Sequence, residues 1–288
     1  MNKKVLAGVG IGGAIALVLG GKAFVSHVAA QEVDKFIESV SDVADIQYQK
    51  VDVSILGKGA TVKDVEITPV GSTDPIKVDA FTVYDYKEVN DVPTYVNMAI
   101  KGVSLTSDSL GDGAELFSEL GYGKDLSANF STEYNYDEAS QTVRLKSLKL
   151  GADDVGDIEM NFHFSNVSLD ESAIEQMPLS LFGVEFHDAK ISYKDDSFVN
   201  RFFETAAATE GTTVEEIKSE LIAGLEEELA SGSSELSEEF VTEMTNFIEN
   251  PKSFSITFAP QDPVPLGSFI NVNGPEDIIE LLNVRFDS

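Results

Sequence analysis

Strict alternation of apolar and polar residues is the feature that most narrows what this chain can fold into. Ile158, Met160, Phe162 and Phe164 alternate with Asp157, Glu159, Asn161, His163 and Ser165, and Phe130, Tyr134 and Tyr136 alternate with Asn129, Glu133 and Asn135. Successive side chains of a strand point to opposite faces, so this period of two makes one dry face and one wet face. That is the signature of antiparallel sheet rather than of parallel strands buried on both sides. The same pattern recurs through Val51 to Ile67, Ile76 to Tyr86, Tyr95 to Leu105, Val143 to Leu150 and Phe254 to Phe258.

Beside Gly102 the pattern slips. Val96, Met98 and Ile100 share one face, whereas Val103 and Leu105 are displaced by one residue. A single-residue slip next to glycine predicts a β-bulge, and a second slip around Ser147 predicts another.

Helical spacing takes over between the strands of the C-terminal half. Phe198, Val199, Phe202 and Phe203 form a stripe; Thr213 with Glu216 three residues on forms a capping box; Val214, Ile217, Leu221, Leu225 and Leu229 follow at helical spacing. Leu236, Phe240, Met244, Phe247 and Ile248 predict a third helix ending before Pro251, and Gly274-Pro275 opens a short last helix. The strand pattern resumes after this block. The expected class is therefore α+β: a mainly antiparallel β body with a three-helix block, residues 197–249, inserted before the last strands.

The first thirty residues set the address. Lys3 and Lys4 precede Val5 to Gly21, an uncharged and mostly apolar run, followed by Lys22 and the small residues Ala29 and Ala30. A membrane-crossing helix needs about 20 apolar residues. The run reaches that length if Lys22 extends toward the headgroups. Residues 1–30 read as a signal-anchor helix, or as a signal peptide cleaved near Ala30. In both readings the flanking lysines keep the start inside and export residues 31–288 as a β-rich domain. The expected location is the inner membrane, single-pass, with the body in the periplasm, or a free periplasmic or secreted body after cleavage.

Charge excludes one class of partner. With 20 basic and 50 acidic residues the chain carries a formal charge of −30, so it repels phosphate backbones and nucleic acid is not expected as a ligand. Without cysteine there is no disulfide, thiol nucleophile or thiolate metal site.

The chemistry-bearing residues are sparse. Histidine occurs three times, at 27, 163 and 187, none with a partner nearby in sequence. Asp108, Asp112, Gly113 and Glu119 fall at positions one, five, six and twelve of an EF-hand-like calcium loop, but Leu110 stands where an oxygen ligand is needed. That leaves Asp108, Asp112 and Glu119 as candidate metal ligands, beside the alternative of a polar turn capping the next helix. Fifty acidic residues make any carboxylate pair uninformative, so no catalytic residue or cofactor is expected.

The N-terminal anchor, the strand–turn–strand of Val51 to Ile67, and the long strands Val143 to Leu150 and Gly156 to Val167 resemble bacterial envelope proteins of the AsmA-like and YdgA-like kind. That resemblance implies a periplasmic β-rich body and, for AsmA-like proteins, a hydrophobic groove that handles lipid. Phe130, Tyr134, Phe162 and Phe164 are then the candidate lipid-binding residues. The competing expectation is a closed core, with the helices laid over the same apolar face and an acidic surface left to bind a protein partner.

Overall fold

A computed structural model describes residues 29–53, 59–90, 92–106, 110–111, 113–123, 125–169, 181–230, 238–272 and 274–288. Its elements, in chain order, are α1 (Ala29–Ser39), β1 (Ala44–Gln47), β2 (Lys50–Val53), β3 (Ala60–Pro69), β4 (Ile76–Val89), β5 (Val92–Leu105), α2 (Gly113–Glu119), β6 (Leu126–Asp137), β7 (Thr142–Ala152), β8 (Gly156–Ser165) and β9 (Glu185–Asp195). There follow α3 (Phe198–Glu210), α4 (Val214–Ala230), α5 (Glu238–Glu249), β10 (Ser253–Phe258), β11 (Val264–Pro265), α6 (Pro275–Leu282) and β12 (Val284–Asp287). The class is α+β and mainly antiparallel, as the alternation requires. Among the described residues no helix is long and apolar enough to cross a membrane. The candidate anchor, up to Val28, lies outside them.

Contacts divide the chain into two units: residues 1–135 with 147–153, and residues 136–146 with 154–288. In the first unit the strand order is β1-β3-β4-β5-β6, with β2 also paired to β3. Its core is the face built from Val62, Val65, Ile67, Val78, Phe81, Val83, Val96 and Met98, covered by α1 through Val33, which is 2% exposed, with Ile37 and Val40 beside it.

This core face changes phase in step across neighbouring strands. Val62 pairs with Phe81 and Val65 with Val78; Phe81 in turn pairs with Ile100 and Val78 with Val103. Each strand therefore steps by three residues where alternation allows two. Asp64 (φ 52°) and Gly102 (φ 65°) take left-handed backbone to absorb the extra residue. The slip read in the sequence beside Gly102 is thus a real register shift between Ile100 and Val103. The displaced Gly102 N–H finds its acceptor in Asn129 Oδ1 at 3.2 Å, and Asn129 Nδ2 donates to Asp153 Oδ1 at 2.7 Å.

In the second unit the order is β8-β9-β10-β12, with β11 paired to β9. The apolar face carries Phe162, Phe164, Phe186, Ala189, Ile256, Phe258 and Val284, on which Leu282 and Ile278 of α6 pack. Further along the same face α5 adds Phe247, edge-on to Tyr193 at 6.1 Å and tilted against Phe254 at 5.8 Å, and Phe240, 5.1 Å from Phe286. Burying each such ring removes apolar area from water and aligns positive ring edges with negative faces.

The helix ends follow local chemistry. Asp195 Oδ1 accepts the Val199 N–H at 3.0 Å at the start of α3, and Gly211 closes it in the left-handed conformation at φ 70°. The predicted capping box opens α4: Glu216 N–H donates to Thr213 Oγ1 at 3.2 Å, and Thr213 N–H donates back to Glu216 Oε2 at 3.0 Å. The Thr212 hydroxyl first, then the Thr213 N–H and hydroxyl, all donating to Glu216 Oε2, hold the Glu216 carboxyl below its ordinary range. At the far edge of the sheet, Glu239 and Glu243 of α5 accept the backbone N–H groups of Phe286 and Ser288 at 3.0 and 3.1 Å. A strand edge that would otherwise offer unpaired donors is closed by side chains.

Candidate functional site: a histidine pair at a bulge

On β8 and β9 the register runs from His163 opposite Asp188 to Phe164 opposite Phe186, so β9 holds one residue more than β8 over that step. The extra residue is His187. In a regular strand with Asp188 on the wet face, His187 would point into the core and Phe186 to water. The bulge reverses both. Phe186 stays buried, and His187 joins His163 on the polar face.

There the two imidazoles stack, with ring centroids 4.1 Å apart and planes 23° from parallel. His163 Nδ1 lies 3.1 Å from Asp188 Oδ2; its side chain is 12% exposed, whereas Asp188 is 56% exposed. The Ser165 hydroxyl donates to Glu185 Oε2 at 3.0 Å, and His187 Nε2 sits 2.8 Å from the same hydroxyl oxygen. A serine has one proton. With that proton committed to Glu185, His187 donates from Nε2 and keeps its lone pair on Nδ1. Burial pushes the His187 pKa down, and repulsion from His163 adds to the effect; the carboxylates of Glu185 and Asp188 oppose it, and Arg144 assists.

The hydrogen-bond order decides what this cluster can do. Nucleophilic catalysis needs a histidine that accepts the serine proton and is itself oriented by a carboxylate. Here the serine stands between carboxylate and histidine, so its oxygen is an acceptor for the imidazole and its proton is held by Glu185. Two histidines with carboxylates resemble a metal donor set, yet among the described residues no group of three His, Asp or Glu converges on a common point. What remains is a hydrogen-bonded set of polar side chains that ties β8 to β9 at the bulge.

The residues singled out from sequence are placed as follows. Phe130 and Tyr134 are half-buried on β6 and pack against the core of the first unit; Phe162 and Phe164 stack at 6.4 Å within the core of the second. They fall in two separate cores, one packed under α1 and the other under α5 and α6. Glu119 ends α2, while Asp108 and Asp112 lie outside the described residues. Sequence reading missed the histidine pair because His163 and His187 are 24 residues apart and a bulge, not alternation, aligns them. The Phe-His-Asp order at 186–188, out of phase with Ala189 and Ile191, was the available signal.

A family model described as "Uncharacterized protein" matches residues 149–288. No curated protein matches the chain.

Proposed function

We propose that this chain is a non-enzymatic, membrane-anchored protein of the bacterial envelope, in the manner of the AsmA-like and YdgA-like resemblance, whose body is an acidic protein-binding module with closed cores. The observation that carries this reading is the covering of the apolar sheet faces: α1 lies over that of the first unit, and α5 and α6 over that of the second. A covered face has no apolar strip to offer acyl chains, and what the body presents instead is the surface of a chain at −30. Charge of one sign selects basic partners and speeds their encounter. The anchor rests on Lys3, Lys4 and the apolar run that follows them.

Lipid binding along a sheet face is the second reading. It is favoured by β6, where every residue from Ser127 to Asn135 is half-buried rather than buried, Phe130 and Tyr134 included.

Chemical crosslinking of the full chain in its membrane, with washes at low and high salt, tests the first reading. A protein partner lost at high salt is expected, together with resistance of the chain to alkaline extraction. Lipid recovered in stoichiometric amount from the purified chain, with no salt-sensitive partner, would transfer support to the second reading. Release of the chain by alkaline extraction would remove the anchor.

A further inference from the structure

Helices α3, α4 and α5 hold twelve glutamates against two basic residues, Arg201 and Lys218. Both cations are engaged within the layer. Arg201 Nε donates to Ser197 Oγ at 3.2 Å; Lys218 Nζ donates to the Glu249 carbonyl at 3.1 Å and lies 5.3 Å from the Phe203 ring centre.

Within this layer α4 stands apart. α3 buries Phe203 and Ala207, and α5 buries Val241, Phe247 and Ile248, but none of the seventeen residues of α4 is buried. At about 100° per residue, Ile217, Leu221 and Leu225 lie in one stripe with Leu221 near its centre. A stripe turned fully onto α3 and α5 would bury that position, yet Leu221 is 45% exposed. Phe202 of α3 is 46% exposed. The two residues sit at matching depth in the helical hairpin, nine positions before Gly211 and eight after Thr213, roughly 12–14 Å along each helix from the turn. Leu221 at the centre of its stripe and Phe202 beside the buried face of α3, both left in water and near Glu220 and Glu204 in sequence, make an apolar target on an acidic helical hairpin.

We propose that this face of α3 and α4 docks a cationic amphipathic helix of a partner protein, its leucines or phenylalanines on Leu221 and Phe202 and its lysines or arginines against the glutamates of the hairpin. The inference rests on the acidic binding reading given above and names its site and partner chemistry. Charge selects this occupant. A second copy brings −30 against −30, and an anionic bilayer is repelled in the same way. A basic helix with an apolar stripe satisfies both the apolar target and the acidic hairpin, as in other helix-in-groove contacts.

The test uses the full chain in phosphatidylcholine nanodiscs and two labelled probes of identical composition: an 18-residue amphipathic lysine–leucine peptide and its scrambled, non-amphipathic counterpart. Anisotropy titration is expected to show the amphipathic peptide binding at least tenfold tighter. The double variant Phe202→Ser/Leu221→Ser is expected to lose about tenfold and with it the preference. Ile270→Ser, at a position 70% exposed in the same unit, is expected to keep it.

Equal binding of both peptides, or an intact preference in the double variant, overturns the docking site while leaving the acidic reading in place. Binding of neither peptide at low salt overturns that reading as well. Self-association or sedimentation with anionic vesicles that depends on Leu221 would assign the face to a second copy or to a membrane, against the proposal.

Discussion

Replacing Phe247 with alanine tests whether α5 closes the apolar face of the second unit or merely lies upon it. The ring is 9% exposed and contacts Tyr193 and Phe254 at 6.1 and 5.8 Å. Losing its transfer free energy costs about 2 kcal/mol. The surrounding strands are fixed by their ladder and collapse only in part, so a cavity of roughly 50–80 Å3 remains and adds about 1–2 kcal/mol at about 24 cal/mol per Å3. The expected loss is about 3–4 kcal/mol. With a urea slope of about 2–3 kcal/mol per molar, the unfolding midpoint falls by about 1–2 M, read by circular dichroism on the full chain. Amide exchange should accelerate over α5 and β10, and a dye that reports exposed apolar surface should bind more strongly. Phe202→Ala, at a half-exposed ring on α3, should cost under about 1 kcal/mol. A Phe247→Ala loss no larger than that of Phe202→Ala would refute the packing account and, with it, the covering on which the closed-core reading depends.

Gly59→Ala should destabilise by more than about 2 kcal/mol, because φ is +79° and the new Cβ would stand 2.3 Å from the Val83 carbonyl oxygen; Gly71→Ala, at φ +83° with nothing within 4 Å, should cost only about 1 kcal/mol in the same melt. Thr213→Ala removes one half of the α4 capping box and should cost about 1 kcal/mol, with exchange rising first at the Glu216 amide. The His187 pKa is lowered by folding, so the unfolded chain binds the extra proton first as pH falls. Above about pH 6.5 this group contributes nothing to the pH dependence; below that value stability falls until the folded group titrates, then levels off. His187→Gln should flatten that segment of a stability–pH curve, and an unchanged curve would remove the linkage.

The strands were legible because alternation is a local consequence of a half-buried pleat: β4, β5, β6, β8 and β10 appear where their apolar residues repeat at two. The helical block was equally plain, with the Thr213–Glu216 box and the Gly274-Pro275 start marking ends that depend only on neighbours within a turn. Even the slip beside Gly102 was readable. Its partner at Asp64, which takes the same left-handed backbone so that β3 stays in phase with β4, was not.

The candidate site was less accessible. Phe162 and Phe164 were correctly placed on an apolar face, but whether that face opens to a ligand depends on where α5 and α6 come to rest, and no residue of β8 carries that information. The stacking of His163 on His187 and the carboxylate–serine–histidine order that denies Ser165 a nucleophilic role depend on cross-strand register. By itself the sequence determined the antiparallel class, the presence of the helical block and the acidic charge, since these follow from composition and from spacing within a few residues. The tertiary structure alone decided which apolar faces are covered, which histidines meet and which helix stripe stays in water, because each is settled by partners distant in the chain.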